Sequence, residues 1–371
     1  VVVLISYPEF YLNLIPSPLV ILLEIGVLKM LTQPSLSPNS AQAYVGDHAA
    51  LRLLHRVLMM YYQEGLNQAD IAETFGLSTA KVNRLLKQAR EQGIVEIRIR
   101  TPMQSLFDLE ARLQSLCGVP EAVVVPQVSD DPQLVLEAVG RAAAQYLTQR
   151  LRDGDVVCVS GGKALSAVVR SVETSRRFDV QVVPATGGAQ GRHQIDANYL
   201  ASELAQKLGG TVHELHAPVI VDTAEERDAL VGIRQISSVL DMARKAQIAV
   251  LGIGSVAPGT STYFELPSLH EDDRRRLIEE FCGTGELLAQ IVDPRGQPCA
   301  PDYNCRVVGI GLDDLRGIPL TIGVAATVTK VAPIISTLRG GYLKTLITDE
   351  VTARGVLEQW EQDPCQTART E

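Results

Sequence analysis

The stretch 61–100 reads YYQEGLNQADIAETFGLSTAKVNRLLKQAREQGIVEIRIR, and it decides the amino-terminal part of the fold. Ile71, Ala72 and Phe75 recur at helical spacing, and Gly76 breaks the pattern. Val82, Leu85, Leu86 and Ala89 then resume it along one side of a second helix. The spacing predicts a helix, a tight turn and a helix. Ser78 stands where an N-cap belongs, its hydroxyl able to accept a backbone N–H two or three residues on, and Gly93 follows the last periodic turn as a stop. With the four apolar residues turned inward, the second helix exposes Thr79, Lys81, Asn83, Arg84, Lys87 and Arg90. This face is polar, free of carboxylates and suited to a DNA major groove.

A helix that enters the groove reads bases with its first turns. Thr79, Ala80, Lys81, Asn83 and Arg84 are therefore the candidates for base contact. Lys87 and Arg90 lie further along, where phosphates are met. After Gly93 the period becomes two, with Val95, Ile97 and Ile99 on one face and Glu96, Arg98 and Arg100 on the other, as a short wing strand requires. Upstream, Leu51, Leu54, Leu58 and Met59 mark a first helix over 49–62. Residues 49–100 are thus expected to form a winged helix-turn-helix DNA-binding domain.

The chain's 371 residues, 46% of them hydrophobic, suffice for two or three domains. Its net charge of −9 excludes a protein that is basic overall, yet 78–100 holds six Lys or Arg against two Glu, so the positive charge is local. Six Cys occur with no CxxC pair, and Cys117, Cys158 and Cys282 lie within or beside apolar stretches. Buried free thiols in a reducing cytoplasm are the expectation, with no disulfide framework.

Residues 1–29 are apolar but lack a basic leader and a small-residue cleavage site, and Pro8, Pro16, Pro18, Glu9 and Glu24 interrupt any spanning helix. The segment is read as neither signal peptide nor anchor; the bland alternative is a frame extended upstream of Met30. Residues 31–47 are rich in Pro, Ser and Asn, so 1–48 is expected to be a loose arm or a mis-extended terminus. In 101–118, Leu106, Leu109, Leu113 and Leu116 form a narrow apolar seam that either pairs with its own copy or packs on its own domain.

From residue 121 short apolar strands alternate with helices. Strands are expected at 123–125, 156–160, 180–186, 212–216, 248–254, 307–310, 321–325 and 345–348. Helices are expected at 133–152, 164–175, 197–208, 235–246, 271–281, 331–338 and 351–360. This pattern predicts an α/β effector domain over 119–362 with a largely parallel sheet, followed by a tail at 363–371. Ligands bind such sheets beyond the carboxyl ends of the strands. Four turns there carry small residues or Lys: Ser160-Gly161-Gly162-Lys163, Thr186-Gly187-Gly188, Gly252-Ile253-Gly254-Ser255 and Ala325 through Lys330. Together they point to one anionic pocket. No nucleotide fingerprint and no ligand-spaced His set is present, so neither cofactor nor metal is expected.

The ordered motifs resemble those of the SorC-type sugar-binding transcriptional regulators. The resemblance is carried by Tyr61-Tyr62, Gly65-Leu66, Gln68, Ile71-Ala72, Phe75-Gly76-Leu77-Ser78, Val82, Arg84-Leu85-Leu86, Ala89-Arg90 and Gly93-Ile94-Val95. It continues through SGGKAL from Ser160, GIGS from Gly252, VDPRG from Val292 and LRGGYLKTLITDE from Leu338. It implies a cytoplasmic repressor or activator, a homodimer or homotetramer without a membrane partner. Such a protein binds operator DNA and a phosphorylated sugar or similar metabolite in a domain related to sugar-phosphate isomerases. Carried over by motif, Ser160, Gly161, Gly162 and Lys163 form one ligand loop and Gly187 and Gly188 a second, with Gly254, Ser255, Asp293 and Lys330 completing the site. Two positions depart from the usual pattern: Gly161 and Lys163 replace the Trp and Arg of an SWGRTL loop, and Ala325-Ala326 replaces a Gly-Gly. The competing reading is an isomerase-like enzyme with an appended DNA-binding domain. An isomerase needs a positioned acid and base, for which Asp293 and Asp349 are the loop carboxylates available.

Overall fold

The structure is a computed structural model that describes residues 2–5, 48–98, 103–127, 129–189, 193–257 and 271–362. The chain divides into two compact units, Val1–Pro102 and Met103–Glu371.

In the first unit, β1 (Val2–Ile5) precedes helices α1 (His48–Tyr62), α2 (Gln68–Phe75) and α3 (Thr79–Glu91) and strand β2 (Val95–Arg98). Asn67 caps α2 by accepting the Ala69 and Asp70 N–H groups, and Gly76, left-handed at φ 62°, returns its own N–H to Ala72 and Glu73. The Ser78 hydroxyl accepts from Lys81 N at 3.3 Å and starts α3. Gly93 at φ 70° reverses the chain after it, a conformation that a β-carbon would strain. Leu54, Val57, Leu58, Ile71, Ala72, Val82, Leu86, Ala89 and Val95 form one buried core, with Leu85 only half-buried at its edge. Each large side chain there contributes on the order of 1.5–3 kcal/mol. The expected wing is β2, which pairs antiparallel with Val2–Ile5. That pairing differs from the loose arm expected of 1–48, whose residues 6–47 lie outside the described residues, as do Ile99 and Arg100.

The second unit opens with α4 (Gln104–Cys117), β3 (Glu121–Val125), α5 (Pro132–Arg150), β4 (Val156–Val159), α6 (Lys163–Ser171), β5 (Gln181–Pro184), α7 (Ala197–Leu208) and β6 (Thr211–Val212). It continues through α8 (Ala224–Val231), α9 (Arg234–Arg244), β7 (Ile248–Gly252), β8 (Gly254–Ser255), α10 (Glu271–Glu279), β9 (Gly285–Leu287) and β10 (Gln290–Val292). Helices α11 (Pro301–Asn304) and α12 (Leu312–Gly317), β11 (Leu320–Val324), α13 (Val331–Arg339), β12 (Thr345–Asp349) and α14 (Glu350–Gln362) complete it. Seven strands form a sheet in the order β3-β12-β11-β7-β4-β5-β6, and every neighbouring pair is parallel.

Alternation along the strands divides the interior into two layers. Val157, Val159, Ile248 and Val250 face a core shared with α5, α6 and α7, whereas Cys158, Ala249 and Leu251 face a core shared with α4, α9, α13 and α14. Leu106, Leu109 and Leu113 of the α4 seam are buried in the second core, whereas Leu116 is exposed.

Three further expectations are corrected. Residues 307–310 form no strand; their backbone makes only isolated antiparallel bridges, Val307 with Ile220 and Gly309 with Thr186. The antiparallel sheet β10-β9-β8 and helices α8, α11 and α12 were not anticipated: the strands and the last two helices are too short for periodicity, and α8 buries no residue and so has no apolar face. Cys282 is exposed, while Cys117 and Cys158 are buried and free, with burial pushing the Cys117 thiol up to about 12.

Candidate functional site

The strand order places the switch point of the sheet between β4 and β7. From β4 the chain proceeds to β5 and β6 on one side, and from β7 to β11 and β12 on the other. Crevices form at such points because the connections leave in opposite directions. A cleft of about 550 Å³ opens there, lined by the turn after β4 (Ser160 to Ala164), the turn after β7 (Gly252 to Gly254) and the turn after β11 (Ala325 to Lys330). Asp131, Pro132, Gln133 and Leu136 from the start of α5, with Glu286 and Leu288 from the β9–β10 hairpin, close it.

Short polar contacts hold the three turns. The Ser160 hydroxyl accepts the Gly252 N–H at 3.0 Å and donates to the Gly161 carbonyl at 3.1 Å, tying the β4 turn to the β7 turn. Gly162 sits at φ 114°, which disfavours side chains, and gives its N–H to Ile195 O at 2.9 Å. Thr327, at φ 81°, is fixed by donating its N–H to Asp349 Oδ2 at 2.8 Å. Asp349 is buried and also accepts from Thr352 N and Thr352 Oγ1 at 2.9 and 2.6 Å, so its carboxylate is spent on the turn and on the first turn of α14.

Besides Asp131, whose Oδ1 accepts the Gln133 N–H at 2.8 Å, three charged side chains line the cleft. Lys163 begins α6 and is exposed, Lys330 ends the turn after β11 and is half-buried, and Glu286 is buried at 5% exposure. Burial lowers the Lys330 ammonium from its ordinary value; Glu286 opposes that shift and Lys163 adds to it. Burial likewise pushes the Glu286 carboxyl up to about 7, against the Ala289 N–H, which Oε1 accepts at 2.7 Å, and against the Lys330 charge. The arrangement can receive an anion at the lysines while offering a carboxyl group beside it.

Of the expected ligand residues, Ser160, Gly161, Gly162, Lys163, Gly254 and Lys330 line this cleft, and Gly187, Gly188, Ser255 and Asp293 do not. Gly187 and Gly188 donate their N–H groups to Val308 O and Ala217 O, and a β-carbon on Gly187 would collide with the Pro218 carbonyl. Gly187 thus lets two backbones approach closely, whereas a β-carbon on Gly188 would meet the Asp196 carboxylate. The Ser255 hydroxyl accepts from Ala257 N at 3.1 Å, and Asp293 Oδ1 accepts from Arg295 N and Gln297 N at 2.8 and 2.9 Å, closing its own turn. Glu286 escaped the sequence reading: it lies one residue into a three-residue strand, flanked by Gly285 and Leu287, with no spacing to mark it. Among the described residues no group of His, Cys, Asp and Glu could hold a metal ion.

In the first unit, Thr79, Ala80, Lys81, Asn83, Arg84, Lys87 and Arg90 are all exposed on α3. Lys87 lies 3.7 Å from Glu91, an exposed pair one turn apart, so the face does have a carboxylate at its far end. Such a pair is worth under about 1 kcal/mol and yields readily to a phosphate.

The family model described as "Putative sugar-binding domain" matches residues 101–358, and that for region 4 of sigma-70 matches 53–92, which includes all of α2 and α3. The deoxyribonucleoside regulator of Bacillus subtilis is 30% identical over 84% of this chain and 99% of its own length. The erythritol catabolism regulatory protein EryD of Brucella abortus is 28% identical over 82% of this chain and 96% of its own. Among solved structures, the full-length sorbitol operon regulator SorC of Klebsiella pneumoniae aligns with TM-score 0.65 at 26% identity, covering 83% of this chain and 99% of that one. These relatives are regulators, and with Asp293 and Asp349 committed to their own turns the isomerase-like alternative has no support. The chain belongs to the SorC-type family of sugar-binding transcriptional regulators, DNA-binding proteins with an amino-terminal helix-turn-helix and a carboxyl-terminal effector domain.

Proposed function

We propose that α3 reads operator DNA through Thr79, Ala80, Lys81, Asn83 and Arg84, with Lys87 and Arg90 on phosphates. A phosphorylated sugar or related small metabolite in the cleft at the sheet's switch point then changes operator affinity. The observation that carries the effector reading is the convergence, from three turns far apart in sequence, of Lys163, Lys330 and a glycine-bearing loop on one cleft. Lys163 at the helix start supplies charge where a phosphate is favoured by the helix dipole. Family membership supports regulated genes in carbohydrate metabolism, and with them we infer a cytoplasmic location and a homodimeric or homotetrameric state. No helix among the described residues is long and apolar enough to cross a membrane.

Thermal-shift screening of the full chain against free sugars, polyols and sugar phosphates tests the effector reading, because a ligand of the native state raises the melting temperature by mass action. A compound that raises it and alters operator retention in a gel shift is the expected result. Shifts by free sugars alone, with phosphorylated compounds inert, would overturn the anionic reading.

A further inference from the structure

We propose that α1 is a second DNA-contacting helix: Arg52 and Arg56 bind phosphates beside the major groove that α3 enters, and the Phe75 ring holds Arg56 in place. This extends the function proposed above to another helix and rests on its placement of α3 in the groove.

The sequence of α1, HAALRLLHRVLMMYY, contains no carboxylate. Its inner side, with Leu54, Val57 and Leu58, is buried in the core of the first unit, and Arg52 and Arg56 stand exposed on the outer side. Four residues apart, they project from one face of the helix and repel each other. No acid relieves that repulsion. The Asp70 carboxylate accepts from Asn67 Nδ2 at 2.6 Å, and among the described residues neither arginine forms an ion pair, with the exposed Glu64 and Glu73 or with any other acid. A face of this kind is complete only when an anion covers it, and a DNA backbone brings anions in a row.

What the Arg56 guanidinium meets fixes where that face lies. Its Cζ stands 5.2 Å from the centroid of the Phe75 ring. A flat cation over an aromatic face is oriented without being neutralised, so its fork stays available to a phosphate. Phe75 is the last residue of α2, and Gly76, Leu77 and Ser78 carry the chain from it to Thr79, the first residue of α3. Four residues span at most about 14 Å, and the major groove is about 12 Å wide. With Thr79 to Arg84 against base edges, Arg56 therefore lies about a groove's width away, at the bordering backbone. Arg52 extends the contact by one turn, about 5.4 Å, along α1.

The test uses the full-length wild type, R52Q, R56Q, the double variant and R56K. Fluorescence anisotropy measures their affinity for two labelled duplexes of equal length, one selected from a random pool by retention on the wild type and one of random sequence, between about 50 and 200 mM KCl. Each phosphate contact contributes about 0.9 to the slope of log affinity against log salt. The double variant should therefore lose about 1.8 of slope per DNA-bound chain on both duplexes and keep the wild-type preference between them. R56K retains the charge and should recover the slope that R56Q loses. Unchanged slopes in the double variant, as merely solvated arginines would give, overturn this inference and leave the α3 reading standing. Circular dichroism establishes folding; should the double variant not fold, R52Q, which disturbs no ring contact, decides with a slope lower by about 0.9. If K81A with R84A retains the full preference for the selected duplex, the α3 reading falls and the groove placement of α1 with it.

Discussion

The Glu286 carboxylate fills the volume that a β-carbon on Gly254 would need. Gly254 is therefore required by a neighbouring side chain, and its contribution to the site is to let a buried acid reach the cleft. Gly254→Ala forces that carboxylate aside. Overpacking of this kind costs roughly 1–3 kcal/mol, so chemical denaturation should show a loss in that range. Effector response should fall with it, while gel-shift affinity for operator persists, since the first unit has its own core. Wild-type stability in Gly254→Ala would mean that Glu286 has another place to go.

Glu286 also makes stability depend on pH. Its native carboxyl is raised to about 7, while an unfolded Glu titrates near about 4.3. Between those values the native state binds more protons than the unfolded one. Stability therefore declines as pH rises through that window and levels off above it, by at most roughly 3–4 kcal/mol. Melting temperatures of wild type and Glu286→Gln at pH 5, 6, 7 and 8 should show this slope in the first and its reduction in the second. Parallel curves would mean that the carboxyl is not buried in solution.

The readable and unreadable parts of this chain separate by length scale. Helices such as α3 and α7 run three turns or more and a strand such as β7 carries no polar side chain, so periodicity and composition expose them. The turns of the cleft were visible because Gly and Lys mark a helix start after a strand, as at Gly162 and Lys163. Gly187 carried the same mark for a different reason, close contact with the Pro218 backbone, which involves a segment about thirty residues away in the chain and leaves no local trace. Glu286 was hidden likewise: its neighbours Gly254 and Lys330 come from other elements, and only the folded sheet brings them together.

On α3, Lys81 and Arg84 stand exposed one turn apart, as two base contacts require. Each good contact contributes roughly 1–3 kcal/mol of discrimination, so the double variant Lys81→Ala with Arg84→Ala should bind operator no better than random DNA of equal length. Footprinting that still shows a protected operator would remove these residues from base readout. Lys87→Ala should weaken operator and random DNA alike and lower the salt dependence of binding by about one ion. A loss confined to a single base pair would reassign Lys87 to readout.

Lys163 admits two chemical roles in the cleft. As an ammonium it pairs with the ligand phosphate through proximity and charge alone. As a neutral amine it could instead add to the aldehyde carbon of an open-chain sugar and, with loss of water, form an imine. The ion pair is the simpler account because Lys163 is exposed at the cleft, where nothing buries its charge. Under either role Lys163→Ala should lose effector response in the gel shift while still binding operator, and a variant that responds normally would eliminate both. Borohydride separates them, since hydride reduces an imine to a stable secondary amine and leaves an ion pair untouched. Wild type saturated with an aldose phosphate that binds it, treated with borohydride and digested, should yield the Lys163 peptide at its unmodified mass; a peptide heavier by the reduced sugar phosphate would establish the imine and displace the ion pair.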